Sequence, residues 1–350
     1  MKTVLLSVIL MSACLLSPLR AKDTVLGELV NPETLTVRGD YLYVTEGVKV
    51  WIYSHDGIRL VNSLGKAGEG PWEFRKSPAP WIPSVSVQLA ADLLVVNSIG
   101  KVSYFSLKGD GIREEKVAVG GGLAPITALG KRWVRTSLTR VEGENKVFFV
   151  SNLMDEKMNK IRELGRFPHF SVAGKTNPIA NARIFELLRR YSDGALFFHL
   201  DPHTGVFKVF DTDGGCKAEI RPGYHPVPIT DAGRKRWEEY FLHDVRFKRI
   251  YEADRANIHY PDHLPLVRDH RPDNGLLYIV TSEKSAGGYR TLIYDYAGVF
   301  KGEILTPLAD RDMLESQPFT IHKHKLYQLV EDEDGEEWVL RVTPLSPPRE

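Results

Sequence analysis

The chain has 350 residues, with 46 Lys and Arg against 45 Asp and Glu, a formal net charge of +1, and two cysteines. So even a balance gives no global field to hold nucleic acid or an anionic membrane, and excludes those partners as a first reading. The length is ample for one large repeat-built domain or two ordinary ones.

Met1-Lys2-Thr3 leads into an apolar run from Val4 to Leu16, broken by Ser17-Pro18-Leu19-Arg20-Ala21. One basic residue, a short apolar core and a terminal Ala predict a secretory signal peptide over residues 1–21, and the run is too short for a transmembrane span. Met11-Ser12-Ala13-Cys14 allows a second route, acylation and membrane anchoring through Cys14. The expected location is therefore periplasmic or secreted, with the lipoprotein as the alternative. Removing Lys2 and Arg20 takes the charge from +1 to −1 and leaves Cys216 alone, so no internal disulfide forms and the core must hold the fold.

Beyond the leader, six places repeat one pattern: a short strand, a polar turn, an apolar second strand, a loop and an aromatic-rich third strand. The second strands read LYV at Leu42–Val44, LVV at Leu94–Val96, WVR at Trp133–Arg135, LFF at Leu196–Phe198, LYIV at Leu277–Val280 and LYQLV at Leu326–Val330. A fourth strand follows at Ile58–Leu64, Ile112–Val119, Lys160–Leu164, Cys216–Ile220 and Phe300–Leu305. β-prone residues alternating with period two between turn residues are the strand signature. Repeats of roughly 40–50 residues with four strands each are propeller blades. The sixth repeat lacks a fourth strand, and Leu26–Pro32 matches the outer strand and exit of the fifth, Lys301–Pro307. A strand over residues 24–30 is thus expected to complete blade 6 and close the ring, which protects both free sheet edges.

Between the first two repeats lies Gly65-Lys66-Ala67-Gly68-Glu69-Gly70-Pro71-Trp72-Glu73-Phe74. Its glycines permit positive φ and Pro71 fixes φ, so it reads as a shaped connector. The chain resembles the six-bladed β-propellers of the NHL-like type, particularly bacterial envelope proteins with a GxxGxGPxEF inter-blade connector. The resemblance implies an all-β fold: a single domain over 22–350, six four-stranded antiparallel blades. It implies fold far more than function.

One segment breaks the rhythm. Thr230–Arg255 puts Trp237, Tyr240, Phe241, Val245 and Tyr251 on one helical face, with Thr230 able to cap the start. This helical insertion, at about 230–255 between blades 4 and 5, is expected to cap the connector face.

For function, Trp72, Trp81, Phe170, Tyr224 and Trp237 sit in or beside connectors of one face, where aromatic residues anchor ligands or plug gaps. Arg38 and Arg268 on inner strands would make the channel mildly basic and able to hold an anionic group. His259 and His263 have the side chains of a divalent-metal site, but Pro261 and Pro265 oppose the helix their spacing would need. No phosphate loop, nucleophile elbow or dinucleotide fingerprint occurs. The expected role is a monomeric binding or scaffold protein without a cofactor, recognising a protein, peptide or glycan on the connector face. Six-bladed relatives also include metal-dependent hydrolases, lactonases and a lyase, so an enzyme of that kind is the alternative, with catalytic residues left unassigned.

Overall fold

The structure is a computed structural model, and it describes all residues except 1–21, 78–82, 91, 118–125, 141–146, 170, 173–174, 183–191, 333 and 346–350. The expected signal peptide, Cys14, Trp81 and Phe170 lie outside the described residues.

Six antiparallel sheets form the six blades of a propeller. Blade 1 runs from its inner strand Thr34–Arg38 through Tyr41–Glu46 and Lys49–Ser54 to its outer strand Arg59–Leu64. Blade 2 is Val85–Ala90, Leu93–Ser98, Lys101–Ser106 and Gly111–Lys116. Blade 3 is Ile126–Leu129, Arg132–Arg140, Val147–Met154 and Lys160–Pro168. Blade 4 shows Phe197–Asp201, Val206–Phe210 and Cys216–Ile220, its expected inner strand at 185–189 falling outside the described residues. Blade 5 is Val267–Asp273, Leu276–Ser285, Gly288–Asp295 and Phe300–Thr306. The predicted strands match these closely, because each is a β-branched or aromatic run ended by a turn that only a few residue types can make.

Blade 6 contains Phe319–His322, Lys325–Glu331 and Trp338–Pro344, and its outer strand is Lys22–Val25. That strand pairs antiparallel with Trp338–Pro344, with Asp23 opposite Arg341 and a 2.9 Å ion pair between them. It lies earlier than the expected 24–30. After Val25 the chain leaves the sheet edge, buries Leu26 and Leu29, and accepts a hydrogen bond from Trp338 Nε1 at the Val30 carbonyl.

The core is distributed in seams between blades. Leu42, Val44, Tyr53, Tyr327, Leu329 and Leu340 fill the seam between blades 6 and 1. Tyr43, Ile52, Phe74, Leu94 and Phe105 fill the next, between blades 1 and 2. Corresponding clusters join blades 2 and 3, 3 and 4, 4 and 5, and 5 and 6. Each blade buries one face against each neighbour, so both faces of its middle strands are apolar.

The insertion is helical but broken. One helix spans Asp231–His243, capped by Thr230 Oγ1 accepting from the Gly233 amide; a second spans Lys248–Asp254. Trp237, Phe241, Phe247 and Tyr251 pack with Ile179 from the blade 3–4 connector and Leu314 from the blade 5–6 connector. Val245, expected on the buried face, is 90% exposed. The break at Asp244–Phe247 resets the helical register, so that Phe247 turns inward in place of Val245, while Tyr251, four residues on, is buried as expected.

Candidate functional site: the axial cavity

The inner strands surround a cavity of about 790 Å³ on the propeller axis. They run from the connector face, at Thr34, Val85 and Phe319, toward the hairpin-turn face, at Arg38, Ala90 and His322. Its walls carry backbone-mimicking amides. Gln88 Nε2 donates to the Ile126 carbonyl, and Gln88 Oε1 accepts from the Ala128 amide at 2.7 Å. Behind the wall, on the second strand of blade 6, Gln328 likewise accepts from Ala309 N at 3.0 Å and donates to Ala309 O at 3.1 Å. These side chains lock neighbouring chain segments where no strand pairing is available.

Among the described residues, eight Lys and Arg side chains and six acidic ones line the cavity, which makes that lining mildly basic. Most of the cations are engaged. Arg268 Nη2 lies 2.8 Å from Asp310, its Nε donates to Ser316 Oγ, and its guanidinium stacks 4.6 Å from the Tyr289 ring centroid. Arg271 pairs with Asp269 at 2.9 Å and lies over Phe319. Lys101 pairs with Glu114 at 2.8 Å. At the connector end, the broken cap brings in Arg246, which pairs with Asp244 and Asp312 at 2.6 Å and donates to the Tyr240 hydroxyl at 2.7 Å. Hydrogen bonds to Asp244 and Asp312 keep its guanidinium firmly protonated against the opposing effect of burial.

The turn-face end is different. Arg38 Nη1 donates to the Leu89 carbonyl of blade 2 at 3.1 Å, and Arg38 has no ion pair among the described residues. Its Nη2 reaches toward blade 4, where a Cβ on Gly194 would come within 3.4 Å of it. Beside it, Asp273 accepts from His322 Nδ1 at 3.0 Å and from the Lys323 amide at 2.7 Å.

The predicted site residues do not gather in one place. Arg38 and Arg268 both face the cavity. Trp72 instead packs on Phe105 at 5.0 Å in the seam between blades 1 and 2, and the bare Gly111 makes room for its ring. Tyr224 lies against Gly205 and donates to its carbonyl at 2.6 Å, and burial pushes its hydroxyl far above the usual range. Trp237 belongs to the cap. His259 and His263 are exposed, and among the described residues no group of three or more His, Cys, Asp or Glu could hold a metal ion. Gln88, Gln328 and Arg246 were missed. For the two glutamines the signal was an amide inside an otherwise apolar strand, SVQLA and LYQLV.

Comparison with solved structures agrees with this architecture. A candidate exported protein from Bacteroides fragilis superimposes with a TM-score of 0.51 at 11% identity, covering 93% of this chain and 95% of its own. The Myceliophthora thermophila Cps50 (Swd1) β-propeller domain gives 0.38 at 11% identity, over 92% and 99% of the two chains. Kluyveromyces lactis Hsv2 gives 0.37 at 12%, over 88% and 95%. No family model matches the chain, and no curated protein matches it. At such identities the likeness shows the fold alone: the chain is a six-bladed β-propeller.

Proposed function

We propose that this protein is an exported, monomeric, non-enzymatic propeller of the NHL-like type that receives a protein, peptide or glycan ligand at its connector face. The observation that carries the reading is the axial cavity of about 790 Å³, walled by fixed amides and arginines and edged by the cap. That volume, with polar groups held in fixed positions, is what a recognition pocket needs. A leader of one basic residue and a short apolar run supports export, as does the shared fold of a candidate exported protein. Cys14 offers a lipid-anchored variant of the same reading.

Peptide and glycan arrays probed with the purified protein test it. Specific capture is expected, and Ser86→Trp, which puts an indole into the cavity wall, is expected to abolish capture with the melting temperature unchanged. Capture that survives Ser86→Trp would place the ligand elsewhere, and no capture of any peptide or glycan would refute the reading.

A further inference from the structure

We propose that the floor of the axial cavity is an anion subsite, in which Arg38 takes the carboxylate or phosphate end of the ligand. The inference rests on the binding role above and names the chemistry that the cavity selects.

Three observations converge on it. The first is placement. Arg38 ends the inner strand of blade 1, and its side chain spans from Leu89 of blade 2 toward Gly194 of blade 4, the blade opposite its own. The guanidinium therefore stands across the axis and forms the floor of the cavity. The second is engagement. Only Nη1 is used, by the Leu89 carbonyl, which leaves the Nη2 and Nε edge of the fork. That edge presents two parallel N–H donors, the geometry that grips a carboxylate or phosphate bidentately. The third is the state of the nearby acids. Asp193 accepts from the Ala195 and Leu196 amides at 2.9 and 2.7 Å, and Asp273 accepts from His322 and the Lys323 amide. Neither pairs with Arg38.

Arg268 and Arg271 show what a carboxylate-paired arginine looks like in this cavity, whereas Arg311 donates to the Pro32 carbonyl. Arg268 and Arg271 each have a carboxylate within 2.9 Å and an aromatic face beneath. A plug for the axis needs no charge, and a half-buried guanidinium whose fork is only partly used keeps donors for water or an anion. Opposite Arg38 stands a glycine with φ +94°, whose amide is taken by Ser192 Oγ, so no side chain intrudes on the space. A ligand entering from the connector face with its anionic end leading would meet this fork last.

The test reads the guanidinium directly in the wild-type protein. The Nε–Hε resonance of Arg38 is followed in ¹⁵N-labelled protein during titration with acetate and with inorganic phosphate at constant ionic strength. A saturable shift is expected with at least one anion, and the stronger of the two identifies a carboxylate or a phosphate ligand. A shift no larger than that of the paired Arg268 and Arg271 would overturn the proposal. For a ligand captured on the arrays, Arg38→Gln should weaken binding at least tenfold, with partial recovery in Arg38→Lys. If Ser86→Trp abolishes capture while Arg38→Gln leaves it intact, the anion subsite falls and the cavity reading stands.

Discussion

The His55 ring lies between two blades: its Nε2 is 2.7 Å from the Tyr327 hydroxyl of blade 6, and its centroid is 6.0 Å from that of His322. Burial lowers its pKa below the usual 6.5, and the nearby His322, Lys323 and Lys325 add to this against a backbone hydrogen bond at Gly39. The unfolded chain therefore takes up a proton at His55 at a higher pH than the folded one. Stability from this residue is present above about pH 6.5 and is lost as the pH falls from there toward the lowered folded value. His55→Gln, which still reaches Tyr327, should flatten that part of the stability–pH curve in chemical denaturation between pH 7 and 5; an unchanged slope would remove His55 as the cause. The connector glycines act at the same scale. A Cβ on Gly65 would come within 2.2 Å of the Val48 carbonyl, and one on Gly68 within 2.0 Å of the Glu73 carboxylate. That carboxylate accepts from the Gly70 amide at 2.8 Å and pairs with Lys66 at 2.9 Å, while Phe74 is fully buried beside it. The spacing of glycines in this stretch was legible as a shaped turn. That Trp72 would adopt a φ of +59° and serve the seam was not, since its amide is held by Glu114, 42 residues away.

At the scale of elements, the hairpins between third and outer strands share a plan. Ser106, Asp155, Asp211 and Asp295 each precede by three residues a position of positive φ: Gly109, Met158, Gly214 and Gly298. Each accepts the amide of that position at its carbonyl, at 2.9 to 3.0 Å. The three carboxyls are held below the usual range, Asp155 first by the Asn159 side chain, Asp211 by the Gly215 amide and Asp295 by Lys301, with further backbone amides adding to each. This repeat is shorter and more regular than the spacing of second strands, which insertions such as the cap stretch unevenly. The cap itself was legible as an amphipathic helix, because Trp237 and Phe241 are four apart. Its break was not, because the helix ends where Asp244 turns back to hold Arg246. Phe241, 1% exposed, stacks on Tyr251 at 5.4 Å and ties the two helices together. Phe241→Ala should cost about 3–4 kcal/mol locally. Trypsin should then cut quickly at Lys248 and Arg249 while the blades stay intact; equally slow cutting in mutant and wild type would show that the cap does not depend on this contact.

For the whole molecule, the ring matters more than any single blade. Six apolar seams are shared between neighbours, so the loss of one outer strand is felt around the circle. Deleting residues 22–30 removes the pairing with Trp338–Pro344, the Asp23–Arg341 ion pair and the buried Leu26 and Leu29. The two leucines alone contribute roughly 3–6 kcal/mol of burial. The deletion should lower the melting temperature of the entire protein in one cooperative transition, and a melting temperature within a degree of wild type would mean that the ring does not depend on this strand. The fold was readable because blades are local: four successive strands joined by short turns. The basic channel was readable as far as Arg38 and Arg268 on inner strands, but which of them is paired was not, since their partners come from other repeats: Asp310 for Arg268, and Leu89 and Gly194 for Arg38. The clasp also sets an order in time. Asp23 and Arg341 stand 318 residues apart, and joining them carries a chain-closure cost of about 5 kcal/mol if nothing between has folded. Blades 1 to 5, each built from local contacts, can assemble first as an open arc, bringing the two ends near each other and reducing the cost. Blade 6 is then the last to form, when the newest strand meets one of the oldest.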